Sequence, residues 1–126
     1  MIELLEQAKS DLEIRMYKNI SDAIRERLMF FATEKQFKGK KSKEKYERIM
    51  RLLKIEILNH IEYACVMYLN GRVNNHTFEE FYLDIIKNWA KVTKENKTDK
   101  TNKSVYSSIA SVNKQWKKEG RYATGV

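Results

Sequence analysis

Residues 42–70 read SKEKYERIMRLLKIEILNHIEYACVMYLN. Within them Tyr46, Ile49, Leu53, Ile57, Ile61, Ala64 and Tyr68 recur every three or four positions, the spacing that stacks side chains on one face of an α-helix. Leu52, Ile55, Val66 and Leu69 widen that stripe toward a second face. At 1.5 Å per residue the helix would be about 40 Å long. Gly71 follows it where a C-terminal cap belongs. So long a helix with so broad an apolar surface must pack against several neighbours. The expected fold is therefore all-α: an antiparallel bundle of four or five helices with this long helix at its centre.

Working outward, residues 72–76 form a short polar connection, which makes the next helix antiparallel to the spine. Thr77-Phe-Glu-Glu80 has the form of a capping box, a hydroxyl at the N-cap and a carboxylate three residues on. Phe78, Phe81, Tyr82, Ile85, Ile86 and Trp89 then give an amphipathic helix with an aromatic core face. On the other side, Ile2, Leu5, Leu12, Met16, Ile20, Ala23, Ile24, Leu28 and Phe31 make residues 2–36 helical. Asn19 or Ser21 could cap a second helix there, so one long helix or two with a bend is open. A loop centred on Gly39 is expected over 37–42, and another, polar and lysine-rich, over 93–103. A last helix over about 104–119 carries Val105, Tyr106, Ile109, Val112 and Trp116. Gly120 ends it, and 121–126 reads as a flexible tail.

Composition supports this reading. Proline is absent and only four glycines occur in 126 residues, whereas an all-β chain of this length would need many tight turns. An apolar fraction of 42% suffices for one packed core and exceeds what a disordered chain carries. One domain fills this length. The single cysteine, Cys65, excludes an internal disulfide and a cysteine-based zinc site. No secretory leader or membrane-length apolar run is present, so a cytoplasmic protein is expected.

The net charge of +8 is unevenly placed. Residues 37–54 hold eight basic and two acidic side chains, and residues 93–126 hold eight and three. Lys38, Lys40, Lys41, Lys43, Lys45, Arg48 and Arg51 form one candidate polyanion-binding set. Lys94, Lys97, Lys100, Lys103, Lys114, Lys117 and Lys118 form the other. Against a nucleic-acid footprint stands the shortage of arginine, seven of 25 basic residues, since arginine dominates bidentate readout of bases and phosphates. No helix-turn-helix, zinc-finger or RNA-binding aromatic signature accompanies the lysines.

Catalytic chemistry finds little to work with. His76 lies in a loop without an evident partner, and Cys65 between Ala64 and Val66 reads as a small buried hydrophobe. Glu56 and His60 are one turn apart on the spine, but a metal would need a second such pair or another ligating helix. Asn59 and Glu62 interrupt the apolar helix. A carboxylate there calls for a partner, because an unpaired buried charge is costly. Glu56, Asn59, His60 and Glu62 thus form a candidate network, either internal and structural or a recognition site. No cofactor is implied.

With those residues identified, the chain resembles a family of small uncharacterised bacterial and prophage helical proteins over about residues 46–118. Leu58, Asn59 and Glu62 match the family's Leu-Asn and Glu spacing, followed by Gly71, Phe78, Phe81, Tyr82 and Trp89. The helix from Tyr106 to Trp116 is similar to the family's last helix. Many members begin with a membrane helix, and this chain departs from them there. The resemblance implies a helical bundle encoded in bacteria or their mobile elements, and brings no activity with it. The function expected is a non-enzymatic protein-binding module, possible as a homodimer, that docks a helical surface on a host or defence protein. The alternative is a basic nucleic-acid-binding accessory protein using its lysine segments.

Overall fold

The computed structural model describes residues 2–95 and 105–122. Four α-helices make up the described chain: α1 (Ile2–Phe31), α2 (Lys40–Leu69), α3 (Asn75–Glu95) and α4 (Ser107–Lys118), with one 3₁₀ turn at Glu34–Gln36. The architecture is the all-α bundle expected, and no described helix is long and apolar enough to cross a membrane.

Residues 2–31 form a single helix. Neither Gly nor Pro interrupts them, and Asn19 and Ser21 sit mid-helix instead of capping a second one. The chain reverses through residues 32–39, where the Thr33 hydroxyl donates to the Phe30 carbonyl at 2.6 Å. α2 starts at once after Gly39, two residues earlier than the periodicity alone indicates. It runs antiparallel to α1: Arg27 Nε donates to the Met50 carbonyl at 3.2 Å, and the Phe30 ring stacks on Tyr46 with centroids 5.2 Å apart.

α2 ends in a Schellman motif, with Gly71 N donating to Tyr68 O and Arg72 N to Met67 O. The motif needs a left-handed residue, and Gly71 has φ +68°. α3 then begins at Asn75, ahead of the expected Thr77 cap. Asn74 Oδ1 accepts the Thr77 amide at 3.2 Å and so takes the capping role. Val73 before this cap and Phe78 four residues after it are both buried. That is the arrangement of a hydrophobic staple, which fixes the start of the helix ahead of Thr77.

The core takes in Met16, Ile20 and Ala23 of α1, and its aromatic centre lies where α2, α3 and α4 meet. Tyr68, Phe78 and Tyr82 stack in sequence with centroids 4.6 Å and 4.0 Å apart, and the fully buried Trp116 packs edge-on to Tyr68. Tyr68 is the polar hub of this cluster. Its hydroxyl donates to Glu79 at 2.7 Å and accepts from Trp116 Nε1 at 3.2 Å.

A second Schellman turn at Gly120 ends α4 and brings the chain back. Arg121 there pairs with Glu119 at 2.7 Å and Glu79 at 3.3 Å, over the Trp116 ring. Tyr122 packs against the core. The chain beyond Gly120, expected as a tail from 121, is thus held through Tyr122, and residues 123–126 lie outside the described residues.

Candidate binding groove between two helices

α1 and α3 both pack along α2 and touch each other through Tyr17 with Phe81 and Tyr82, and a groove lies between them. Two cavities mark its course. One, of about 530 Å³, lies between residues 13–25 of α1 and residues 77–82 of α3. The other, of about 280 Å³, is walled by Leu28 and Phe31 of α1 and Trp89 of α3, with Met50 and Ile57 of α2 beneath. The rims carry large apolar side chains in water: Ile14, Leu28, Phe31 and Phe81 are each more than half exposed, and Tyr17 is 42% exposed. From Ile14 to Phe31 the groove extends about 25 Å along α1.

The larger cavity is built from aromatic rings and one acid. Tyr17 meets Phe81 and Tyr82 edge-on, with centroids 6.1 Å and 5.9 Å apart, so that their rings form walls at steep angles. Glu13 lies on the apolar stripe of α1 with Met16, Ile20 and Ala23 and is only 6% exposed. Its carboxylate accepts the backbone amide of Asn74, yet Oε1 is buried without a hydrogen-bond partner. The hydroxyl of Tyr82 is likewise buried and unpartnered. Burial raises the Glu13 pKa above the usual carboxylate value, against the lowering effect of the Asn74 amide. For the Tyr82 phenol, burial again raises the pKa, and the negative charge of Glu13 adds to it. Both residues line the larger cavity, while these two oxygens are themselves shut off from solvent.

The spine network expected from the sequence does not assemble as one unit. Glu62 alone turns inward to a tertiary role: its two oxygens accept the amides of Ser108 at 3.1 Å and Ile109 at 2.9 Å. Glu56 and His60 approach to 4.0 Å on the half-exposed side of α2, and Asn59 is exposed. Asn59 and Glu56 thus stand outside the core, because the 3.6-residue period carries them to the solvent side while Ile57, Leu58 and Ile61 take the buried one. Cys65 is fully buried, and burial followed by the charge of Glu62 raises its thiol pKa. Among the described residues no three His, Cys, Asp or Glu side chains gather as metal ligands.

The lysine segments stay apart. Lys38, Lys40, Lys41, Lys43, Lys45, Arg48 and Arg51 are exposed around the start of α2. Lys114, Lys117 and Lys118 are exposed on α4, whose Trp116 packs at Tyr68, near the other end of α2. Along the α2 axis the two groups are separated by roughly 30 Å. The side chain of Lys94 and residues Lys97, Lys100 and Lys103 lie outside the described residues. Lys87 and Lys91 of α3 join Lys117 around a cavity of about 230 Å³, a grouping that sequence order conceals.

Glu13, Tyr17 and Tyr82 were not singled out as functional by their types. One signal was available: an acid at position 13 falls in line with Met16 and Ile20, where an apolar residue belongs. Comparison with family models, with curated proteins and with solved structures returns no match.

Proposed function

We propose that the protein is a non-enzymatic binding module that receives an amphipathic helix of a protein partner in the groove between α1 and α3. One observation carries this reading. A groove about 25 Å long, floored by Met50 and Ile57 of α2 at its Phe31 end, keeps Ile14, Tyr17, Leu28, Phe31 and Phe81 in water on its rims. Contiguous apolar surface of this kind is costly to leave exposed and marks interaction sites. Its shape suits the helix-in-groove mode, in which residues one and two turns apart anchor a guest helix.

The lysine segments support the nucleic-acid alternative less well. Their described members sit toward opposite ends of α2, and Glu44 and Glu47 are interspersed with the first set. A single continuous phosphate track would join them.

The deciding experiment is affinity capture from a bacterial lysate, with and without nuclease, using wild type, Leu28→Glu, Phe81→Glu and a Lys41→Ala/Lys45→Ala/Arg48→Ala triple variant. The proposal expects a discrete protein that survives nuclease, is kept by the triple variant and is lost by both groove variants. Material lost on nuclease treatment and by the triple variant would replace it with the nucleic-acid reading. A second copy of the chain in the groove would appear as a wild-type dimer in sedimentation velocity that Leu28→Glu makes monomeric.

A further inference from the structure

We propose that the cavity between α3 and α4 lined by Lys87, Lys91 and Lys117 is a binding site for a phosphate-sized dianion, either free phosphate or the phosphoryl group of a small monoester. The cavity shares no lining residue with the groove between α1 and α3. The proposal is therefore independent of what docks in that groove.

Each helix contributes two donors spaced one turn apart. Lys87 and Lys91 come from α3, Asn113 and Lys117 from α4, and all four line the same space of about 230 Å³. A separation of four residues puts each pair on one face of its helix, with Cβ atoms about 5–6 Å apart. Ala90 and Tyr122 complete the described lining, which contains no carboxylate.

These donors are uncommitted. The three lysines are exposed, so their ammonium groups can turn over the mouth of the cavity. The ion pairs among the described residues use Lys9, His60 and Arg121 as bases and none of these lysines. Asp84, three residues before Lys87 on α3, is exposed and does not pair with it. Lys117 has no helix end to cap either, because the turn at Gly120 already gives backbone amides to the carbonyls of Gln115, Trp116 and Lys117. Like charges one turn apart, as at Lys87 and Lys91, destabilise a helix. Lys117 adds to that repulsion from the facing helix, and a bound anion relieves it.

The donor set selects the anion. Lysine binds phosphate as a point charge, whereas a planar carboxylate favours the fork of arginine, and no arginine is in the described lining. Ammonium groups on flexible stems can reach separate oxygens of a tetrahedral anion, and three of them are matched better by two negative charges than by one. Size sets the upper limit. The cavity has the room of roughly eight waters and falls below the range of about 300–1,000 Å³ typical of larger ligands. It admits a phosphoryl group with bridging water and leaves little space for a large body.

The test is titration of the full chain with inorganic phosphate at fixed ionic strength, followed by ¹H–¹⁵N correlation spectra, with acetate as the monoanion control. The expected result is saturable shifts at the amides of Lys87, Lys91, Asn113 and Lys117 that acetate does not reproduce. Glycerol phosphate should shift the same amides; tighter binding than phosphate would assign the site to a monoester, and equal or weaker binding to the free ion. Lys91→Gln/Lys117→Gln should weaken phosphate by about tenfold or more, while Lys41→Gln/Lys45→Gln at the start of α2 should leave it unchanged. All four positions are exposed, so neither double variant disturbs the core. Shifts that do not saturate, that acetate reproduces, or that survive Lys91→Gln/Lys117→Gln undiminished would each overturn the assignment. A short DNA duplex that shifts both lysine groups where phosphate shifts neither would replace it with a nucleic-acid track.

Discussion

Glu62, in the middle of α2, accepts the amide of Ile109 at 2.9 Å across 47 residues of chain. With the Ser108 amide on its other oxygen, this carboxylate does for α4 what a local N-cap side chain does for other helices. Tyr106 occupies the cap position of α4 and makes no side-chain capping bond. Glu62→Ala should therefore cost about 0.5–2 kcal/mol, the range seen for lost caps. Hydrogen exchange checks the mechanism. The amides of Ser108 and Ile109 should exchange faster in the variant, with those of α1 unchanged. Uniform acceleration over the whole bundle would point to a global loss instead.

Tyr68 joins three elements through one oxygen. Its hydroxyl takes the indole N–H of the fully buried Trp116 and gives its own proton to Glu79, which in turn holds Arg121. Tyr68→Phe keeps the ring stack but strands a buried donor. The expected loss is about 1–3 kcal/mol in urea unfolding. An unchanged midpoint would mean that Trp116 finds another acceptor.

The helices were legible because their apolar positions follow the 3.6-residue period without glycine or proline in between, as Ile57, Ile61, Ala64 and Tyr68 show. Boundaries were less so. Thr77-to-Glu80 has the letters of a capping box, but the buried staple of Val73 and Phe78 starts α3 earlier. At the spine network, Glu62 announced that it needed a partner, and nothing local revealed that the partner was the start of α4, 46 residues away. The groove escaped for the same reason. Phe81 looks like an ordinary member of an apolar stripe and Tyr17 stands beside one, and only the packing of α1 and α3 leaves them partly bare.

Cys65 offers a probe of the core. Its thiol is fully buried, and burial pushes its pKa up, so the reactive thiolate is suppressed twice over. A disulfide reagent such as dithiobis(nitrobenzoate) at pH 8 should leave the native protein unmodified and label one thiol per chain in guanidinium chloride. In intermediate denaturant the labelling rate should follow the population of the opened state. Rapid labelling without denaturant would show that the core around Ala64 and Ile61 opens locally.

Glu13 predicts a pH dependence with a definite sign. Burial raises its pKa in the folded chain, while the unfolded carboxylate titrates near about 4.3. Between those two values the folded chain holds a proton that the unfolded chain has lost, so stability from this group is fully present below the unfolded value and is lost as pH rises through the folded one. Asp22, Lys18, Arg25, Tyr17 and Tyr82 line the same crevice, and all of them remain in Glu13→Gln. The difference between that variant and wild type therefore isolates Glu13. Glutamine carries no charge to desolvate. The melting temperature of Glu13→Gln relative to wild type should accordingly rise from pH 4 to pH 7. Parallel curves across that range would mean that the Glu13 charge is solvated after all.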